Sequence, residues 1–239
     1  MNLLIYGING YMGRTIEELA HEDHYWNNIY GLSRDKSIVP DEIKYDVLLD
    51  FTHESSLDDL LELAIGEHIP LVIGTTGYSS VQLEKIKESS EIIPILHATN
   101  MSLGMNLLFE LVEQTSRKFK DKVDIEVIET HHNRKKDAPS GSAVTIVEAI
   151  EKGLGKSQKH QHGRNGECPR EKGEIGIHAI RAGNIVGNHE VNFISNLEGI
   201  KISHEAYDRK VFAEGALEAA KFIIGKEPKL YNMKDVLDI

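Results

Sequence analysis

Short apolar runs alternate with helical patterns over the first hundred residues. Runs that predict strands occupy 2–6, 28–32, 45–51, 69–73 and 92–96. Between them, apolar residues recur at helical spacing over 15–21, 55–65 and about 80–89. Because strands and helices that alternate in this way build parallel sheets, this part predicts an α/β fold with an N-terminal Rossmann-like, doubly wound parallel sheet.

The pattern changes after residue 101. A helix is predicted over 102–119, a strand over 123–130 and a further helix over 143–150. Three more strand patterns follow at 175–181, 185–195 and 200–207, and the turns between them contain Gly and Asn. Such turns are typical of an antiparallel meander, so this part predicts a C-terminal α+β domain with an open, mainly antiparallel sheet.

The candidate chemistry is concentrated in the loop between the strand at 123–130 and the helix at 143–150. It contains the side chains His131, His132, Arg134, Lys135 and Lys136, and it enters the helix through Ser140-Gly141-Ser142. A helix start offers unpaired N–H groups and partial positive charge, which suit a carboxylate or phosphate. A histidine beside it can act as a general acid or base.

Two other interpretations of this loop have to be weighed. A charged loop is often only a solvated surface. A zinc site is the other alternative, but adjacent histidines on an extended segment point to opposite faces, and no third ligand stands at a recognisable spacing. The sequence therefore favours an anion site with a titratable group, and no metal is predicted.

A glycine-rich turn follows the first strand directly. The segment Gly7-Ile8-Asn9-Gly10-Tyr11-Met12-Gly13 leads from that strand into the first helix. Strand, glycine turn and helix in this order are the fingerprint of a dinucleotide site, where glycines let the backbone approach the pyrophosphate. The spacing is GxxGxxG and not the commoner GxGxxG, so a purely structural turn is the alternative.

The end of the second predicted strand bears on the choice of cofactor. A carboxylate that binds the adenosine ribose is expected there, but Ser33 holds that position, and Arg34 beside it suits a 2′-phosphate. We therefore predict that NADPH is preferred, with NADH as the alternative, since a shift of one residue would bring Asp35 into the acidic position. A plain surface arginine is the other interpretation of Arg34.

Composition narrows the class of protein. The formal net charge of −11 over 239 residues argues against nucleic acid or an anionic membrane as a partner. The single cysteine, Cys168, excludes an intrachain disulfide and fits a reducing compartment. No leader-like segment or membrane-length apolar run is visible, so we expect a cytoplasmic protein.

The central loop resembles the signature of the 4-hydroxy-tetrahydrodipicolinate reductase (dihydrodipicolinate reductase) family, roughly E-x-H-H-x-x-K-x-D-x-P-S-G-T. The matching residues are Glu129, His131, His132, Lys135, Asp137, Pro139, Ser140 and Gly141, with Ser142 in place of the usual Thr. The turn at 7–13, the GTTG run at 74–77, the NMSxGxN run at 100–106 and the RxGxxxGxH run at 181–189 are also similar to family runs. The resemblance extends over nearly the whole chain.

The resemblance implies a reductase of lysine and diaminopimelate biosynthesis that takes a small dicarboxylate substrate. His131 would then be the catalytic acid and Lys135 its partner, while His132, Gly141 and Ser142 would bind the substrate carboxylates. The cofactor would contact the glycine turn and, around the nicotinamide, the residues Gly74, Thr75, Thr76, Ala98, Thr99, Asn100 and Met101.

The resemblance also implies a discontinuous cofactor domain and a homotetramer. The dinucleotide-binding domain would span 1–101 and 208–239, with residues 102–207 for substrate binding and oligomerisation. Two rivals remain: another two-domain dehydrogenase of the aspartate or sugar type, and a cofactor-sensing protein without chemistry. The E-K-P run of the sugar group is missing after the fifth strand, and the intact His131 and Lys135 disfavour a sensor.

Overall fold

A computed structural model describes residues 1–33 and 43–239, which form two compact units. The first unit comprises Met1–Leu103 and Lys210–Ile239, and the second comprises Gly104–Arg209. These bounds differ by two residues from the predicted domain limits. The binding roles assigned to the two units stay predictions.

The first unit is built on a parallel sheet. Numbered along the chain, its strands are β1 (Asn2–Tyr6), β2 (Asn28–Leu32), β3 (Val47–Asp50), β4 (Leu71–Ile73), β5 (Ile95–His97) and β11 (Leu230–Tyr231). Their spatial order is β11-β5-β4-β3-β1-β2, and all the pairings are parallel. Because β1 pairs with both β2 and β3, the strand order reverses at β1, which is where doubly wound sheets bind ligands.

Helices cover both faces of this sheet, as the sequence predicts. They are α1 (Tyr11–Glu22), α2 (Leu57–Gly66), α3 (Ser80–Ser89), α6 (Lys210–Ile223) and α7 (Met233–Leu237). One apolar cluster joins the sheet to α1, α6 and α7, and a second joins it to α2 and α3. The predicted doubly wound fold is therefore confirmed.

Some predicted bounds in this unit are wrong. Helix α1 begins at Tyr11, four residues before the predicted start, since the glycine turn leads directly into it. Strand β5 begins at Ile95 and not at residue 92, because the amides of Ile92 and Ile93 both donate to the carbonyl of Ser89. The two-residue strand β11 is too short to show a periodicity in the sequence.

The second unit contains a five-stranded mixed sheet. Its strands are β6 (Asp124–His131), β7 (His160–His162), β8 (Ile175–Arg181), β9 (Gly187–Ile194) and β10 (Gly199–Ala206), in the order β10-β9-β6-β8-β7. Strand β9 is antiparallel to both β6 and β10, whereas β8 is parallel to both β6 and β7. Helices α4 (Leu103–Phe119) and α5 (Gly141–Leu154) complete the unit.

The predicted meander is wrong at β8. Strand β6 lies between β8 and β9, so the chain crosses over β6 between them. The connecting turn contacts the loop that follows β6: Ala182 N–H donates to the carbonyl of His131, and Asn133 N–H donates to that of Gly183. The crossover therefore places the turn at 182–186 beside the predicted site loop.

One face of β6 forms the core of this unit and also carries its chemistry. Ile125 and Val127 pack with residues of α4 and α5 in one apolar cluster. Glu129 and His131 continue the same alternating row and are buried, although both are polar. Since burying a charged group is costly unless it is paired, the end of β6 must supply hydrogen-bond partners.

Candidate active site

Glu129 is the centre of the polar cluster at the end of β6. Its carboxylate accepts hydrogen bonds from His131 Nδ1 (2.6 Å), Arg181 Nη1 (2.8 Å) and Arg181 Nη2 (2.7 Å). The backbone N–H of Ser140 donates a further bond of 3.0 Å. Burial alone would raise the pKa of Glu129, but the hydrogen bonds from His131, Arg181 and Ser140 outweigh it and lower that pKa to about 2. Glu129 is therefore ionised at neutral pH.

This carboxylate fixes the orientation of His131. An ionised carboxylate can only accept, so the Nδ1 atom that faces it carries a proton. The opposite nitrogen, Nε2, is then the atom that can exchange a proton with a ligand. A Cβ atom on Gly187 would lie 3.1 Å from this Nε2, so the glycine leaves room around it. The predicted acid is thus held in one tautomer.

The same carboxylate is joined to the start of α5. Ser140 caps this helix, and its Oγ accepts the N–H of Ala143 at 3.2 Å. The next residue, Gly141, is exposed, and a Cβ placed on it would have no heavy atom within 4 Å. The first turn of α5 therefore presents its backbone to open space, which suits the predicted binding of a carboxylate by Gly141 and Ser142.

Lys135 lies in the turn after β6 and is held there. Its Nζ is 2.9 Å from Asp137 Oδ2, and this contact keeps the pKa of Asp137 below its usual value. Arg181 Nη2 donates to the carbonyl of Asp137 at 2.5 Å, so the residue that binds Glu129 also anchors this turn. The lysine side chain remains 22% exposed, which leaves its charge accessible.

His132 follows on the other side of the strand end. Its Nε2 lies 3.4 Å from Arg209 Nη2, and the side chain is half-buried. Burial, together with the cations Arg134 and Arg209, lowers the pKa of His132. A neutral His132 is therefore favoured at neutral pH, which suits a hydrogen-bonding role in ligand binding.

The geometry of the turn at 7–13 requires glycine at two of its positions. Gly7 has a φ of +92°, which favours glycine, and a Cβ on Gly13 would lie only 2.2 Å from the carbonyl oxygen of Gly7. Gly10 precedes α1 without any side-chain cap, and Asn9, Gly10 and Tyr11 are exposed. The opening of α1 therefore presents backbone that a pyrophosphate could approach, and Ile8 and Met12 complete the predicted contact set.

A second group of predicted cofactor residues follows the ends of β4 and β5, which pair at Ile73 and His97. Thr75 is buried, and its Oγ1 accepts the N–H of Thr52 at 2.8 Å, whereas Thr76 is exposed. A Cβ on Gly74 would meet the Phe51 ring at 2.3 Å. Fold requirements thus explain Gly74 and Thr75, and Thr76 is the more accessible candidate for the cofactor.

The other predicted cofactor residues differ in their exposure and contacts. Asn100 Oδ1 accepts the N–H of Ser102 at 2.9 Å, and Met101 is buried at 2% exposure. Ala98 and Thr99 lie in the same segment after β5. Ser33 is half-buried directly after β2, whereas Arg34 lies outside the described residues.

Sequence reasoning missed the roles of Glu129, Arg181 and His189. Glu129 could have been found, since it stands at an inward position of an alternating strand and therefore needs a buried partner. Arg181 reaches Glu129, and His189 reaches Ser140 and His131, only through the pairing of β6 with β8 and β9. Within residues 1–33 and 43–239, no group of three or more His, Cys, Asp or Glu side chains is placed to hold a metal ion. None of the helices described is both long and apolar enough to cross a bilayer.

Comparison with known proteins gives a consistent result. Residues 1–101 match the family model for the N-terminus of dihydrodipicolinate reductase, and residues 104–237 match the model for its C-terminus. The chain is 66% identical over 239 residues to the 4-hydroxy-tetrahydrodipicolinate reductase of Alkaliphilus oremlandii (strain OhILAs), covering 100% of this chain and 99% of the relative. It is 59% identical over 241 residues to the enzyme of the same name from Alkaliphilus metalliredigens (strain QYMF), with 100% of both chains covered.

Solved structures show the same fold. A dipicolinate-bound dihydrodipicolinate reductase from Paenisporosarcina sp. TG-14 superposes with a TM-score of 0.81 at 21% identity, covering 98% of each chain. GenD2 from gentamicin A biosynthesis, in complex with NAD, gives a TM-score of 0.61 at 12% identity, covering 99% of this chain and 90% of the other. The two family models together match nearly the whole chain, and the chain belongs to the dihydrodipicolinate reductase family.

Proposed function

We propose that this protein reduces 4-hydroxy-tetrahydrodipicolinate to tetrahydrodipicolinate with NAD(P)H, in lysine and diaminopimelate biosynthesis. The similarity to relatives of that name over the full chain supports this reaction. The observation that carries the site assignment is the Glu129 carboxylate, which joins the His131 ring to the start of α5. A proton donor and a binding site for carboxylates are thereby fixed to one another.

The proposed reaction requires a proton donor close to the site that binds the substrate carboxylates. Loss of the 4-hydroxyl group as water leaves a conjugated C=C–C=N unit in the ring. A reduced nicotinamide, when bound, would supply a hydride to the C=C end, which would leave negative charge on the imine side. Lys135 stabilises the negative charge as it develops. His131 delivers the proton from Nε2, while Glu129 stabilises the imidazolium form.

The substrate is a diacid and needs sites for its carboxylates. We assign these to the backbone at Gly141, to Ser142 and to His132. The open space before Gly141 supports this assignment, as does the placement of Ser142 in the first turn of α5. The dipicolinate named for the Paenisporosarcina structure is itself a pyridine diacid.

The first unit is the proposed dinucleotide-binding domain, and the second unit is proposed for substrate binding. Residues Gly7 to Met12 would hold the pyrophosphate, and Gly74 to Thr76 with Ala98 to Met101 would line the nicotinamide. A preference for NADPH over NADH is proposed because Ser33 leaves the end of β2 without the carboxylate that binds a ribose diol.

We also propose a homotetramer that works in the cytoplasm. Ile180 and Ile194 are 45% and 46% exposed on the face of the sheet opposite the α4 and α5 core, and apolar side chains of this kind suit contact with further subunits. A cytoplasmic location is consistent with the acidic composition and the single cysteine. Sedimentation at micromolar concentration would test the tetramer.

The reaction is tested by a coupled assay. A synthase forms the substrate from pyruvate and aspartate semialdehyde, and loss of NADPH absorbance reports the reduction. We expect turnover that depends on the synthase, a higher kcat/KM with NADPH than with NADH, and a marked loss for Lys135→Ala. Absence of synthase-dependent turnover would contradict the reaction. Equal or better efficiency with NADH would contradict only the cofactor preference, and wild-type kcat and KM in Lys135→Ala would contradict only that residue's role.

A further inference from the structure

His189 is a buried histidine to which the reaction described above gives no role. It lies on β9, directly opposite Glu129 on β6 and opposite His204 on β10, so that all three side chains share the core-facing side of the sheet. Only 4% of its surface is exposed. The neighbouring inward positions on β9 are occupied by Val191 and Phe193, which are apolar. A polar ring in this row therefore calls for an explanation.

The contacts of His189 reach both groups that Glu129 holds. Its Nε2 lies 3.3 Å from Ser140 Oγ, the hydroxyl that caps α5. Its ring stands edge-to-face with that of His131, with 5.2 Å between the centroids and 76° between the planes. Its Nδ1 is buried and, among the residues that the structure describes, has no hydrogen-bond partner. His189 thus contacts both His131 and Ser140, the two residues that also donate hydrogen bonds to Glu129.

The charges around His189 decide its protonation state. Strand β6 contributes Glu129 and His131, the following loop contributes Lys135, and β10 contributes His204. Burial first, and then the neighbouring His131, lower the pKa of His189 to about 4. Neutral His189 therefore adds no positive charge beside His131 at neutral pH.

We propose that His189 is a positioning residue for the reduction. It holds the Ser140 hydroxyl and the His131 ring in the positions in which Glu129 binds both residues. This inference rests on the proposed function, because it concerns the same site. A phenylalanine would fill the space without a hydrogen bond to Ser140. A glutamine would retain an amide that can reach the hydroxyl.

These two replacements make the proposal testable. In His189→Phe we expect kcat to fall about 10- to 100-fold, since displacement of a reacting group by about 1 Å can cost this much. We expect the KM for NADPH to stay unchanged. In His189→Gln we expect kcat to recover to within about threefold of wild type, since the bond to Ser140 can be restored. His162→Gln, on the exposed strand β7, is the matched control and should keep wild-type kinetics.

Because His189 is proposed to act through Ser140, the effects of substituting the two residues should not add. Ser140→Ala should lower kcat, and the double variant Ser140→Ala with His189→Phe should be no slower than the slower single variant. The second readout is the ¹⁵N spectrum of the His131 ring in the intact protein, recorded without substrate. Wild type should show a protonated Nδ1, and His189→Phe should shift or broaden this signal, while His162→Gln should not.

Each outcome decides the proposal. A folded His189→Phe protein with kcat within about twofold of wild type would overturn it. Equal losses in the Phe and Gln variants with an unchanged His131 signal would also overturn it, because His189 would then serve only packing. If His189→Phe does not fold, His189→Leu takes its place under the same criteria. Absence of turnover in wild type would refute the proposed function, while the His131 spectrum would still test the positioning.

Discussion

Glu129→Gln is the substitution whose consequences follow most directly from the site. The carboxylate accepts one bond from His131, two from Arg181 and one from the backbone of Ser140. Glutamine keeps the shape but replaces one acceptor oxygen by an N–H₂ group. At either position that group faces the Arg181 guanidinium together with a second donor, which is the His131 Nδ1–H or the backbone N–H of Ser140. The half-buried Arg181 charge then loses its counter-ion.

The stability that the ionised Glu129 contributes follows from its pKa. Its fall from 4.5 to about 2 on folding corresponds to about 3 kcal/mol of stability. Because the pKa is lower in the folded state, this contribution is complete above the unfolded-state pKa and is lost as the pH falls toward 2. We therefore expect wild type to exceed Glu129→Gln by about 3 kcal/mol at pH 7, and the difference to shrink steadily below pH 5.

The effect on turnover should be larger. In Glu129→Gln the amide can donate to Nδ1 of His131 and so favour the tautomer with the proton on Nε2. In a serine protease, the corresponding Asp-to-Asn change lowers kcat by about 10⁴, a value measured on that other system. We expect a loss of about 10³ to 10⁴ here, with little change in NADPH affinity.

The assay combines urea unfolding at several pH values with the coupled turnover assay. Glu113→Gln is the matched control, since Glu113 is also a buried carboxylate that contacts two cations, Arg117 and Lys152. It should lose stability but keep kcat. If Glu129→Gln lost stability equally at pH 7 and pH 3, or kept wild-type kcat, the reasoning about an ionised Glu129 that orients His131 would be refuted.

Other substitutions test separate parts of the account. His131→Ala should lower kcat by about 10² to 10⁴ and leave NADPH affinity unchanged in a fluorescence titration, and a wild-type kcat would contradict its role as the acid. Gly187→Ala places a methyl group 3.1 Å from the His131 Nε2, so kcat should fall about tenfold or more with an unchanged melting temperature. Gly13→Ala would put a Cβ 2.2 Å from the carbonyl oxygen of Gly7. It should lower the free energy of unfolding by about 1–3 kcal/mol and weaken NADPH binding. Gly66→Ala is the control: its Cβ would have no atom within 4 Å, and it should change neither quantity. Arg34→Ala should raise the KM for NADPH but not that for NADH, and equal changes for both would remove the proposed 2′-phosphate contact.

Much of the fold could be predicted because local periodicity reflects burial. The strands at 2–6, 28–32 and 175–181 lie where the apolar patterns place them. The partners of a strand are not encoded locally, however. The turn at 182–186 has hairpin composition, yet β8 pairs with β6 and β7 and not with β9, the strand that follows this turn. The predicted meander failed at this point for that reason.

The same limit applies to the site. The loop at 131–142 is contiguous, so its histidines, its lysine and its helix start could be recognised together. Arg181 reaches Glu129, and His189 reaches Ser140 and His131, only because β8 and β9 flank β6. A sequence shows which residue types are present, but it does not show which buried polar group each of them contacts.

The central claim is that the diacid binds at the start of α5 while His131 protonates the reduced ring. A crystal structure with NADPH and dipicolinate tests this most directly. We predict that one carboxylate accepts the N–H of Gly141 and that the His131 Nε2 lies within about 3.5 Å of the ligand ring. A diacid bound far from both Gly141 and His131 would contradict the account.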